Sequence, residues 1–275
     1  MMRQFLSAVF LLVASALPAL AQNSSIPPEE FNNTSRLSGD SINVCFDRTS
    51  LGLAFDQDVA RAIGDALFLR VEAIEGFGGF PLNGDALLDE VTLAMTNTCD
   101  VFMGVSVSPN SPVSDAFAIT RPYATFPFVL AVADPDWQRL GDIPKSRKLG
   151  TAMASMGEMN YITWAQQQPE NERWVRLPYA DFDLMTTRVL DGSIAGMILW
   201  QPALARILAS RPDAKVLRVI DSAPVPSSET RVGALVSSRN SFLRAQIDEA
   251  IDAIVRDGTI AGLIEKHGYS GRAGE

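Results

Sequence analysis

The stretch Thr98-Cys-Asp-Val-Phe-Met-Gly-Val-Ser-Val107, followed by Ile119-Thr-Arg-Pro-Tyr-Ala-Thr-Phe-Pro-Phe-Val-Leu-Ala-Val132, decides the fold. Val101 to Val107 is an apolar run with β-branched valines, too short for a helix, which predicts a buried strand. Gly104 and Ser106 stand where that strand runs out and its backbone amides become free for other partners. Ser108-Pro-Asn-Ser-Pro112 then breaks the chain, because proline removes a donor and fixes φ. Phe126 to Val132 predicts a second strand, long enough to leave one lobe and enter another. Ligands of open α/β sheets collect at the carboxyl ends of strands. A cleft is therefore expected beside Val105, Ser106, Arg121 and Tyr123.

Working outward, the chain alternates short apolar runs with amphipathic ones. Strands are expected at Ile42–Phe46, Arg70–Ile74, Leu149–Met153, Trp174–Pro178, Ile194–Trp200, Lys215–Ile220 and Val232–Ser237. Helices are expected at 57–67 behind an Asp56 cap, at 85–96, from about 159 to 167, up to Leu190 behind Asp181 or Asp183, and after a Ser241 cap. A last short helix is expected over Thr259–His267. Such alternation predicts an α/β protein of two lobes with mostly parallel sheets, each covered by helices. The chain crosses between lobes twice, which makes a hinge and a closing cleft. The expected division is 41–132 plus 231–275 for lobe 1, 133–222 for lobe 2 and 223–230 for the return linker.

The first 21 residues read as a secretory signal peptide: Arg3, an apolar core from Phe5 to Leu17, and Ala19-Leu-Ala21 before the cleavage point. Residues 22–40, rich in Ser, Asn and Pro, read as a flexible arm. No later run approaches the roughly 18 apolar residues of a membrane span. The expected location is the periplasm. The net charge of −9 and the absence of any Lys/Arg block argue against nucleic acid or anionic lipid as partner. Cys45 and Cys99 are the two cysteines of an exported chain, which suggests a disulfide. If their strands run parallel and in register, the two could instead lie too far apart to bridge.

Catalytic chemistry has little to build on. The one histidine, His267, is expected to be exposed in a terminal helix. No H-E-x-x-H or Cys-x-x-Cys motif points to a metal, and no cofactor loop is present: Gly76-Phe-Gly-Gly-Phe80 matches neither phosphate-binding pattern. That loop, with Phe77 and Phe80, reads either as a mobile turn or as an aromatic flap. Binding has more to build on. Asp47 and Arg48 follow the first strand. Arg121 could grip a carboxylate or phosphate, or form an ordinary salt bridge. Tyr123 could line the cleft or pack in the core. Ser155-Met156-Gly157 opens a helix whose free amides could receive an anion, or simply cap it. Trp200 and Gln201 end a buried strand facing the gap, where an indole could wall the site or belong to the core.

Those motifs together resemble the type II periplasmic substrate-binding proteins. The tail from Val232-Gly-Ala-Leu-Val-Ser-Ser to Glu265-Lys-His-Gly268 is similar to that superfamily's ending. Amino-acid-binding members carry an arginine in the loop after the third strand and an aspartate at the end of a second-lobe strand. Here those places hold Ser108–Ser111 and Trp200, which implies poor α-amino-acid affinity. Val44-Cys45, Cys99–Val105, Thr120–Tyr123 and Leu199-Trp-Gln-Pro202 resemble the quinoprotein dehydrogenase-associated, MoxJ- and XoxJ-like substrate-binding proteins. This resemblance implies a non-catalytic periplasmic accessory of a PQQ-dependent alcohol dehydrogenase. The competing expectation is a receptor of an ABC transporter for a small polar or anionic solute. A third is a hydrolase on the same scaffold.

Overall fold

A computed structural model describes residues 39–77, 84–107 and 115–275, with side chains over 39–74, 91–107 and 115–275. The signal peptide, the arm up to Ser38, Phe80 and the Ser108–Pro112 break lie outside the described residues; Asp40, at the end of the arm, pairs with Arg70 at 2.7 Å.

Lobe 1 is built on β1 (Ser41–Asp47), flanked in parallel by β2 (Arg70–Phe77) and β3 (Val101–Ser106). Helices α1 (Leu53–Leu67) and α2 (Gly84–Asn97) connect these strands. Short β4 (Phe117–Ile119) follows, and then β5 (Ala124–Val132) leaves the lobe. Lobe 2 repeats the plan: β6 (Lys148–Ala152) lies parallel to β7 (Val175–Tyr179) and β8 (Gly196–Trp200). Its helices are α3 (Met156–Gln166), α4 (Phe182–Leu190) and α5 (Gln201–Ser210). After β9 (Arg218–Ile220) the chain returns through β10 (Glu229–Ser237), α6 (Ser241–Arg256), α7 (Thr259–Lys266) and β11 (Arg272–Ala273).

The strand order is β2-β1-β3-β10-β5-β8-β6-β7. Strand β5 belongs to both halves. Ala124–Pro127 pair antiparallel with Glu229–Val232 of β10, and Phe128–Val132 pair antiparallel with β8. The return chain lies alongside, where Phe128 N–H donates to the Ser228 carbonyl at 2.8 Å. The expectation of mostly parallel sheets is thus corrected in part. Each lobe has a parallel trio, but the strands that cross between lobes run antiparallel because the chain must come back the way it went. Pleating sends successive β5 residues to opposite faces: Leu130 and Val132 enter one lobe 2 core, Ala131 the other.

Lobe 1 also has a core on each face of its sheet. One gathers Val44, Phe55, Val59, Ala234, Ile247 and Ile251 beneath α1 and α6. The other lies under α2 and contains Cys45, Met95, Cys99 and Phe102. Cys45 and Cys99 are joined there by a disulfide, with Cα atoms 5.7 Å apart. Register places Cys45 opposite Phe102, so the bridge reaches back to the turn before β3.

Three local expectations are corrected. Helix α1 begins at Leu53, because Leu53 and Phe55 already pack on the lobe 1 core; Asp56 therefore lies inside the first turn and Gly52 stands at the cap. Asn240, not Ser241, caps α6, its side-chain oxygen accepting from Leu243 N–H at 3.1 Å. Lys215–Ile220 is not one strand: Pro212 opens a 3-10 turn to Val216, leaving only Arg218–Ile220 extended.

Candidate functional site

The carboxyl ends of β1, β3 and β8 converge between the lobes. Trp200 comes from lobe 2 and packs on the lobe 1 core, edge-on to Phe126 with centroids 5.7 Å apart. A Cβ built on Gly52, at the start of α1, would stand 3.8 Å from the Trp200 ring. The indole Nε1 is buried without a hydrogen-bond partner, and so is Oε1 of the adjacent, 5 % exposed Gln201. Buried polar atoms left unpaired cost free energy, so both mark a place where a partner belongs.

The floor of this place is Gly104. Its φ of +80° is left-handed, and a Cβ there would come 2.7 Å from Asp56 Oδ2. Glycine is therefore required both by conformation and by the close approach of the carboxyl. Asp56 is 4 % exposed. Its Oδ1 accepts from the Tyr123 hydroxyl at 2.7 Å, and that hydroxyl oxygen accepts from Gly104 N–H at 3.1 Å. Burial pushes the Asp56 pKa up to about 7, against the lowering effect of the Tyr123 hydrogen bond. Burial, and then Asp56 itself, raise the Tyr123 pKa well above its ordinary value.

Lobe 2 presents a second buried acid, Glu158, in the first turn of α3. Oε1 accepts from the Thr151 hydroxyl at 2.8 Å and from Arg176; Oε2 accepts from Ala154 N–H at 2.7 Å. Ser155 caps the helix, its Oγ accepting from Glu158 N–H at 3.1 Å.

The sequence-predicted residues divide into three groups. Trp200, Gln201 and the end of β3 meet between the lobes, with Ser106 exposed and Val105 packed toward the disulfide side. Tyr123 is fully buried and holds Gly104 in place from beneath. Arg121 points elsewhere: it is 62 % exposed and pairs with Asp252 of α6 at 2.6 Å, while its N–H donates to Asp248. Asp47 closes a local turn by accepting from Thr49 N–H and Oγ1, both at 2.7 Å. Met156 is exposed, and Gly157 lies flat against Phe128, where a Cβ would approach to 2.8 Å. Phe77 is the last residue of β2.

Arg48 lines a cavity of 410 Å³ between the start of α1 and α5, together with Gln57, Arg206, His267 and Tyr269. His267 is thus not the exposed residue its terminal position suggested. Its Nε2 lies 2.7 Å from Asp58 Oδ2, and its ring packs edge-on to Phe55. Burial would raise the Asp58 pKa, but Lys266, Arg61 and His267 together hold it far below the usual carboxylate range. Asp56, Arg206 and Tyr269 were missed as site residues. Only Asp56 left a signal: an aspartate three residues into an apolar helix face is too late to cap.

Among the described residues no group of three or more His, Cys, Asp or Glu could hold a metal ion, and no helix is long and apolar enough to cross a membrane.

No family model matches the sequence, and no curated protein matches it. Solved structures do. The L-cystine solute receptor of Neisseria gonorrhoeae, in its unliganded open conformation, is 20% identical with a TM-score of 0.62, covering 86% of this chain and 96% of its own. The second substrate binding domain of a putative amino acid ABC transporter from Streptococcus pneumoniae gives 15% and 0.65, covering 82% and 99%. Substrate binding domain 2 of Lactococcus lactis GlnP, also open, gives 17% and 0.64, covering 84% and 96%. The chain has the two-lobed fold of the type II periplasmic binding proteins.

Proposed function

We propose that this chain is an exported, non-catalytic solute-binding protein that closes its lobes on a small polar molecule and delivers it to an ABC transporter. The observation that carries this reading is Trp200, which reaches from lobe 2 onto lobe 1 beside Gly52 with its own Nε1 and the neighbouring Gln201 Oε1 unpaired. A ligand offering one acceptor and one donor would satisfy both. The names of the matched structures, an L-cystine receptor and transporter binding domains, support the role. The ligand differs from a standard α-amino acid, since an indole stands where the resemblance puts an ammonium-binding aspartate.

A thermal-shift screen of polyols, alcohols, organic acids and amino acids tests this. A ligand at a hundredfold excess over Kd stabilises by about 2.7 kcal/mol. The expected result is a shift with one non-amino-acid class, lost in Trp200→Ala. No shift with any class would overturn the reading. The second reading, an accessory of a PQQ-dependent dehydrogenase, is favoured by Leu199-Trp-Gln-Pro202 and the related short motifs. Copurification with such a dehydrogenase, with an unresponsive thermal-shift screen, would replace the first reading by the second.

A further inference from the structure

The cavity between α1 and α5 differs in chemistry from the place under Trp200. Arg48 reaches it from the β1–α1 loop of lobe 1, Arg206 from α5 of lobe 2, and His267 from the end of α7. Among the described residues no carboxylate lines it, although the chain carries 32 Asp and Glu against 23 Lys and Arg. Elsewhere the arginines are largely spoken for, as in Arg121–Asp252, Arg176–Glu158 and Arg272–Glu229. Arg48 and Arg206 make no ion pair among the described residues. Of the acids near the cavity wall, Asp58 already faces Lys266, Arg61 and His267, Asp56 is bonded to Tyr123, and Asp47 closes its own turn on Thr49.

Two guanidinium groups contributed by opposite lobes to one cavity repel each other, and the repulsion grows as the lobes approach. An anion between them reverses the sign, and the fork of donors on each arginine suits a carboxylate or phosphate oxygen pair. Ser50, Gln57 and Tyr269 add neutral polar groups around the same space. Leu53, Ala54 and Gln57 line the same space from the start of α1. Helix α1 has no side-chain cap at Gly52, so its first amides add positive potential at this end.

We infer that this cavity is an anion site that bridges the two lobes, taking a small carboxylate or phosphate between Arg48 and Arg206 with His267 beside it. The site goes beyond the solute reading: neither Trp200 nor Gln201 lines it. Bound there, an anion holds the lobes together whatever the cleft contains.

The test is calorimetric titration of the full mature chain with inorganic phosphate, succinate and benzoate, each at constant ionic strength with chloride as the reference salt. The expected result is saturable binding of at least one probe, at least tenfold weaker in Arg48→Ala and in Arg206→Ala and unchanged in Arg121→Ala. Preference for phosphate over the two carboxylates, or the reverse, identifies the anion class. All three substituted arginines are exposed, and melting curves confirm that the variants fold. Two results would overturn the inference: no probe binding at millimolar concentration, or binding indifferent to Arg48 and Arg206. Anion binding lost only in Trp200→Ala would overturn it as well, while leaving the solute reading intact.

Discussion

Each lobe buries one carboxyl group in the first turn of a helix at the interlobe gap, and the two are treated in opposite ways. Glu158 in lobe 2 is surrounded by donors: a threonine hydroxyl, a backbone amide and the Arg176 guanidinium. Asp56 in lobe 1 receives one hydrogen bond, from Tyr123, and its second oxygen faces the bare Cα of Gly104. Burial with a single donor raises the Asp56 pKa to about 7. Glu158 therefore fixes the shape of its helix start, whereas Asp56 leaves lobe 1 with a titratable centre. The same asymmetry runs through the cores, since lobe 1 alone carries the disulfide.

The strongest way to break this comparison is to remove that disulfide. It closes a loop spanning 54 residues of sequence separation, and losing it should cost about 4 kcal/mol in the chain-entropy account. Three of the four tryptophans, Trp137, Trp164 and Trp174, pack in lobe 2, and only Trp200 packs on the lobe 1 core. Reduction should thus lower the denaturation midpoint seen by circular dichroism while the tryptophan fluorescence transition moves less. Coincident shifts in both signals would show that the lobes unfold as one.

Next in size is the pH dependence of Asp56. Its pKa rises from 3.8 unfolded to about 7 folded, so between those values the folded state holds a proton that the unfolded chain has released. Stability is fully present below about pH 4 and is lost as pH climbs through 7, on the order of 3 kcal/mol of it between pH 4.5 and 8. Urea melts at pH 4.5 and 8 in wild type and Asp56→Asn measure this; the asparagine variant should lose most of the slope. An identical slope in both proteins would put the titration elsewhere.

Glu158→Gln sharpens the contrast from the other side. Arg176 would lose its charged partner and Ala154 N–H would face an amide in place of a carboxylate, at a cost of about 2 kcal/mol. Tryptophan fluorescence in urea reads this directly, because the change lies in lobe 2. The smallest effect belongs to Arg121→Ala. An exposed ion pair contributes under about 1 kcal/mol, and a change in the urea midpoint beyond that would assign Arg121 a larger part than its contact with Asp252.

The strands were legible because buried parallel strands are continuous apolar runs; Val101–Ser106 and Ala124–Val132 fall where composition puts them. The crossing of β5 between lobes was legible from its length. What composition could not carry was partnership at long range. Arg121 meets Asp252 across 131 residues of sequence, and no local pattern distinguishes that arginine from Arg48, which faces a cavity. Asp56 was misplaced by one helical turn for a local reason: an aspartate before a helical run reads as a cap unless the apolar residues ahead of it are counted as helix. Trp200 and Gln201 were placed at the gap because a strand end in this architecture opens on it, a rule of topology and not of side-chain type.

Pro127 occupies the rung of β5 that pairs with Glu229, one residue before the strand changes partners. A proline brings no amide hydrogen to that rung, so the ladder is thinnest at the handover. Any rotation of one half against the other must twist β5 about this residue, and torque applied at either end is concentrated over a few bonds. The return chain beside it is tied there by the Phe128 N–H to the Ser228 carbonyl, so the handover rests on few bonds. Replacing the proline ring with a hydrogen-bonding residue would make the whole body a slower and more reluctant clasp.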